Sequence, residues 1–290
     1  MNGRANLFSL GVLSVAFASG CTEQPTLSPP APVRPAPIVK KQDGRPKEVR
    51  TEADWLRAAR DSDPTVRRQA VMATKDVELK GETAVPVLIE LLKDADDEVR
   101  WHTPVALTKF DAKRHPAMVP ALAEALVKDR HDWVRSHAAM ALSSIAFDDK
   151  ETAKPALAAL TAALKDKAAQ TNAAMALNNF GRDASPAAPA LLEALKEKGN
   201  RTGVLNALQN VDLGPEAETG VPALVDCLKG DDKHIRQHAA WVLGRIGPRA
   251  RAAIPDLTQA LKDPNADVAK AAAWALERID VETADKDSAH

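Results

Sequence analysis

The 290-residue chain is 45% apolar yet has no Tyr, 5 Phe and 5 Trp, so Ala and Leu must carry most of the burial. Small side chains suit helices packed at close range, whereas a β-sandwich draws on alternating Val, Ile, Thr and Tyr. A net charge of −1 and only two cysteines, Cys21 and Cys227, exclude a strongly basic nucleic-acid binder and a disulfide scaffold.

Residues 1–20 open with one positive charge, Arg4, followed by an apolar run from Leu7 to about Ala18 and then small residues. That order predicts a signal peptide, with an apolar run too short to span a bilayer comfortably. Ala18-Ser19-Gly20-Cys21 resembles the lipobox of bacterial lipoproteins, although that family favours Leu where this chain has Ala18. The resemblance implies cleavage before Cys21 and lipidation of its thiol. The chain is therefore expected to be exported and lipid-anchored in a bacterial envelope, at the periplasmic or outer surface. Thr22 follows the cysteine, so the Asp that retains enteric lipoproteins at the inner membrane is absent.

Residues 21–50 hold seven prolines and a charge of +3; subtracting this and Arg4 from the total leaves about −5 for the remainder. Proline at this density removes backbone donors and blocks helix, which predicts an extended tether of ~3 Å per residue. It is expected to act as a spacer between anchor and body.

From residue 52 the chain repeats. The lines VRRQAVMAT (66–74), VRWHTPVAL (99–107), VRSHAAMAL (134–142), AQTNAAMAL (169–177), NRTGVLNAL (200–208), IRQHAAWVL (235–243) and VAKAAAWAL (268–276) recur in steps of 31–35 residues. Their apolar first, fifth, eighth and ninth places form a helical stripe. A second helix lies between successive lines, marked by Pro six residues before Leu at Pro86, Pro120, Pro189, Pro222 and Pro255; Pro155 falls out of step. Proline in a first turn loses no helical hydrogen bond. Asp63, Asp96, Asp132 and Asp232 stand where first-type helices open, and Lys-Asp or Lys-Gly pairs close the second-type helices.

The patterns V-R-x-x-A-A-x-A-L and V-P-x-L-x-x-x-L resemble HEAT repeats, notably the short kind named from phycobilisome lyases, over residues 52–280. The resemblance implies an all-α, right-handed α-solenoid of about six to seven helical hairpins, with first-type helices convex and second-type helices concave. It also implies that Arg67, Arg100, Arg135, Arg201 and Arg236, in the second place of the line, ladder with the capping Asp of neighbouring repeats. The expected organisation is a signal peptide (1–20), a tether (21–50), a solenoid (51–280) and a polar, frayed tail (281–290). Glu52–Arg60, with Trp55, is expected to cap one end and the helix over 265–280 the other.

Histidine fills the fourth place in His102, His137 and His238. Repeats stack ~10 Å apart, whereas a zinc ion needs its ligands within ~2 Å, so polar packing is expected there and no metal site. No His-Glu dipeptide is present for the iron site of the HEAT-like deoxyhypusine hydroxylases, and no catalytic constellation or phosphate cradle is visible. Neither a cofactor nor a catalytic residue is expected.

Two rows remain as candidate partner surfaces. The seventh place of the line reads Met72, Val105, Met140, Met175, Asn206, Trp241 and Trp274, which either faces a partner or covers the neighbouring repeat. On the second-type helices, Glu90, Glu124, Glu193 and Asp226 stand four residues after the proline. They are placed either to receive a basic peptide or to pair along the helix with Lys93, Lys128, Lys196 and Lys229. Cys227 reads as a small buried apolar residue. The expected function is a non-catalytic module that binds another protein or peptide, with membrane contact through its lipid alone and no nucleic acid. The alternative is a lyase-like or accessory protein holding a small ligand on the concave face.

Overall fold

The structure is a computed structural model that describes residues 49–287; the signal peptide, Cys21 and nearly all of the tether expected from the sequence lie outside the described residues. The described residues contain helices and no strand: α1 (Glu52–Ala59), α2 (Pro64–Ala73), α3 (Gly81–Leu91), α4 (Asp97–Leu107), α5 (Met118–Lys128), α6 (Asp132–Asp148), α7 (Lys150–Ala153), α8 (Leu157–Ala163), α9 (Gln170–Phe180), α10 (Ala188–Ala194), α11 (Arg201–Asn210), α12 (Val221–Leu228), α13 (Lys233–Ile246), α14 (Ile254–Ala260) and α15 (Ala266–Asp287).

These helices form two layers. The first-type helices α2, α4, α6, α9, α11, α13 and α15 stack in that order. The second-type helices α1, α3, α5, α8, α10, α12 and α14 line up beside them, each packed on the first-type helix that follows it. The result is an α-solenoid of seven hairpins among the described residues, each a second-type helix followed by a first-type helix. The segment expected as one end cap, Glu52–Arg60, forms α1, the second-type member of the first hairpin.

No hairpin can bury its stripe alone, so the core runs between neighbours. Its residues are mostly Ala and Leu: α6 packs on α9, and Ala138, Ala139 and Ala141 of the one and Ala173, Ala174 and Ala176 of the other are all fully buried. At the last junction Gly244 of α13 lets α15 come closer still, since a Cβ there would meet the Trp274 ring at 2.4 Å and the Ala275 Cα at 2.8 Å. The first hairpin is closed differently. Trp55 is 0% exposed and its indole Nε1 donates to the Ala70 carbonyl at 2.7 Å and to the Thr74 hydroxyl at 3.1 Å.

The punctuation follows the sequence with local departures. Asp63, Asp96 and Asp232 cap α2, α4 and α13, each accepting a first-turn backbone N–H. For α6 the cap is His131, whose Nδ1 accepts from Trp133 N at 3.3 Å, and Asp132 instead pairs with Arg135 at 2.6 Å. Pro189, Pro222 and Pro255 sit in the first turns of α10, α12 and α14. Pro86 falls inside α3, because residues that form 3-10 turns ahead of the later prolines (Gly181–Ala187, Gly214–Gly220, Gly247–Ala253) are already α-helical there. Each of these turns opens on a left-handed glycine: Gly181, Gly214 and Gly247 have φ of 56°, 51° and 66°. At the C-terminal end α15 continues to Asp287, beyond the frayed start expected at residue 281.

Candidate partner surface

The recurring arginines hold the hairpins together and are not an anion site. Arg67 donates to both oxygens of Asp94 (2.6 and 2.7 Å), Arg100 to Asp129 (2.7 and 3.3 Å) and Arg236 to Asp263 (2.7 and 3.0 Å), while Arg135 meets Asp166 and Arg201 meets Asp226. The partner is not the aspartate that caps a first-type helix, as the family resemblance implied. Except for Asp226, which lies within α12, it is the aspartate that ends the second-type helix of the next hairpin. That residue is free to pair because its Oδ1 also accepts the backbone N–H two positions on, as in Asp94–Asp96 and Asp129–His131, which aims the carboxylate at the arginine. The guanidinium also satisfies carbonyls at its own turn: Arg100 donates to Asp94 O at 2.9 Å and Ala95 O at 3.2 Å. Gln170 keeps one such bond, to Leu164 O at 3.0 Å, but has no carboxylate partner.

Burial is the largest single influence on Asp94 and Asp129 and penalises their ionisation, yet the arginine hydrogen bonds, the backbone N–H groups of Asp96 and His131 and the nearby positive charges together outweigh it and leave both below the usual aspartate range. Arginine hydrogen bonds hold Asp166 and Asp263 down in the same direction. Burial lowers His102, His137 and His238, which are therefore held neutral. All of these groups bind protons more readily when unfolded, so stability falls as pH falls. The histidine contribution is complete above about pH 6.5 and declines below it; the aspartate contribution is complete above about pH 4 and is lost below that. Equilibrium denaturation across pH 3–8 is expected to show both losses, and a stability that rises on acidification from pH 7 to 5 contradicts the assignment.

The carboxylate row is not a free acidic surface. Glu124 takes Lys93 of the preceding hairpin at 2.8 Å and Lys128 of its own helix at 3.2 Å, and these two lysines lower its pKa. Glu193 pairs with Lys196 at 2.6 Å, Asp226 is held low by Arg201, and Glu90 is exposed. Two pairings expected along one helix run between hairpins instead: Lys93 goes to Glu124, and Lys229 goes to Asp256 at 2.7 Å.

The seventh-place row divides. Met72, Val105, Met140 and Met175 are 52%, 43%, 38% and 51% exposed, on α2, α4, α6 and α9, along the outer side of four consecutive first-type helices. Asn206 is exposed and interrupts the row. Trp241 and Trp274 are half-buried against each other, with centroids 4.3 Å apart, and Arg278 lies over the Trp274 ring. In the last two hairpins the row therefore packs; in the first four it faces out.

Two further residues enlarge the exposed part. On α6, Trp133 (56% exposed) and Phe147 (79%) lie seven residues to either side of Met140, so the three share one helix face. The sequence carried that signal as an i, i+7, i+14 series within a single repeat, at right angles to the between-repeat comparison. Trp133 stacks on His137 at 5.8 Å and meets Trp101 edge-on at 5.6 Å, which fixes an aromatic corner on the α4–α6 side.

Among the described residues no group of three His, Cys, Asp or Glu could hold a metal ion, and no helix is long and apolar enough to cross a membrane. Cys227 is buried and its thiol is pushed up to about 11 by burial.

The stacked hairpins with their arginine ladder define a helical-repeat solenoid. The sequence model of HEAT repeats matches residues 52–143, 119–210 and 216–288, and the chain belongs to that family. No curated protein matches the sequence. Among solved structures, a crystal structure of an engineered protein is similar at 23% identity and a TM-score of 0.58, over 78% of this chain and 67% of that one. A structure from work on the phosphorylation-controlled interaction between cadherin and beta-catenin is similar at 17% identity and a TM-score of 0.60, over 79% of this chain and 52% of that one. This chain thus spans about half the length of the latter, and both likenesses concern the fold.

Proposed function

We propose that the chain is a non-catalytic scaffold that holds a partner protein against the outer side of α2, α4, α6 and α9, tethered to a bacterial membrane by lipid on Cys21. The exposed row Met72, Val105, Met140 and Met175, widened by Trp133 and Phe147, carries the reading. These side chains leave apolar surface in water on a stack whose interior is otherwise closed, and thioethers adapt to varied apolar partners. The second-type helices expose fewer large apolar side chains, Val127 and Leu261, and three of their four candidate carboxylates are engaged with lysine or arginine. The small-small-Cys ending of the apolar leader supports the anchor.

The Met72→Glu, Met140→Glu, Met175→Glu variant is expected to retain its helicity and to lose at least about tenfold in affinity for the partner crosslinked by the native chain in envelope extracts. Unchanged affinity overturns the assignment of the surface. Cys21→Ser is expected to move the protein from the membrane to the soluble fraction, and continued membrane association overturns the anchor.

A further inference from the structure

We propose that the solenoid is articulated at one place, the junction between its fourth hairpin (α8–α9) and its fifth (α10–α11), with the hinge in the first-type layer and the opening in the second. Of the six junctions among the described residues, five carry an arginine–aspartate pair: Arg67–Asp94, Arg100–Asp129, Arg135–Asp166, Arg201–Asp226 and Arg236–Asp263. The fourth-to-fifth junction has Gln170 in the arginine place and Glu197 in the aspartate place, and Gln170 spends its amide on Leu164 O of its own hairpin. The ladder is thus cut once.

The two layers respond differently at the cut. In the first-type layer α9 packs on α11, and Asn210 Nδ2 donates to Asn178 Oδ1 at 2.7 Å across them. In the second-type layer α8 and α10 touch, and a cleft of about 540 Å³ between them is lined by Leu157, Ala158, Thr161 and Ala162 of α8 and by Ala187 and Ala190 beside and within α10. The ion pair beside it is Lys150–Asp183 at 2.9 Å, whose lysine on α7 is half exposed, and exposed pairs hold little. The fifth hairpin also carries Gly203 in the interior of α11, which weakens that helix. A joint stitched on one side and gapped on the other bends by closing or widening the gap. Met72, Val105, Met140 and Met175 all lie on one arm and Trp241 and Trp274 on the other, so bending changes the angle between the exposed and packed parts of the row.

The test compares spin-label distance distributions in the full chain carrying Cys21→Ser; buried Cys227 resists labelling. Lys128→Cys with Lys196→Cys spans two junctions including the cut, and Lys196→Cys with Lys262→Cys spans two intact ones, all three lysines being exposed. The expected result is an excess width for the first pair, and loss of that excess when Gln170→Arg and Glu197→Asp supply the missing rung. Equal widths in the two pairs overturn the proposal. An excess that survives the added rung also overturns it, because the motion then does not arise from the cut.

Discussion

Arg100→Ala is expected to lower the stability of the solenoid by about 3–5 kcal/mol, the range for removing one partner of a buried ion pair. Arg100 and Asp129 have only 8% of each side chain exposed. Without the guanidinium, Asp129 keeps only the backbone N–H of His131 on its Oδ1, and the Asp94 and Ala95 carbonyls lose their donor. The cost arises from stranding a carboxylate out of water, and a control separates this from loss of the arginine itself. Arg100→Met with Asp129→Leu removes both charges and is expected to recover most of the loss. Arg201→Ala should cost far less, because its partner Asp226 is 60% exposed and stays solvated. Denaturant midpoints of the four proteins test the order. Equal losses for Arg100→Ala and Arg201→Ala contradict a ladder whose value depends on burial.

Trp55→Ala is expected to unfold the first hairpin while the remaining six persist. The substitution deletes the largest fully buried side chain and two hydrogen bonds from the end of the stack, at a cost of about 3–5 kcal/mol. A terminal hairpin has one neighbour to lean on, so a loss of that size exceeds what holds it in place. Hydrogen exchange should show α1 and α2 losing protection with α3 to α15 retained, and proteolysis should begin between residues 49 and 80. Trp55→Phe keeps most of the volume and loses the indole donor, at about 1–2 kcal/mol. Global unfolding of Trp55→Ala in one transition contradicts neighbour-on-neighbour stability.

The layers of the fold were legible in the sequence because one chemical demand repeats. Each first-type helix must bury places one, five, eight and nine of its line against the neighbouring helices, and Ala and Leu recur there for that reason. Partner choices were less legible, since they depend on geometry across the stack. Lys93 reaches Glu124 on the next helix instead of Glu90 on its own, and the arginine takes the aspartate closing a second-type helix instead of the cap opening a first-type one. The three left-handed glycines recur every 33 residues, but the repeat pattern read from the apolar lines and prolines did not single them out. The seventh-place row held the least information about its own fate. Trp274 is half-buried because Gly244 admits it, whereas Met140 has no such recess and stays exposed. Composition alone does not separate these outcomes, because burial of a large side chain is decided by the residue opposite it.

The proposed partner surface is formed by the first-type helices of the first four hairpins. A photo-crosslinking residue placed singly at Met72, Met140, Met175, Glu90 and Glu193, in the full chain in its native envelope, tests it most directly. One common crosslinked protein is expected from the three methionine positions and none of it from the two glutamate positions. Crosslinks to that protein from Glu90 and Glu193, with the methionine positions silent, would place the partner on the opposite layer and contradict the account.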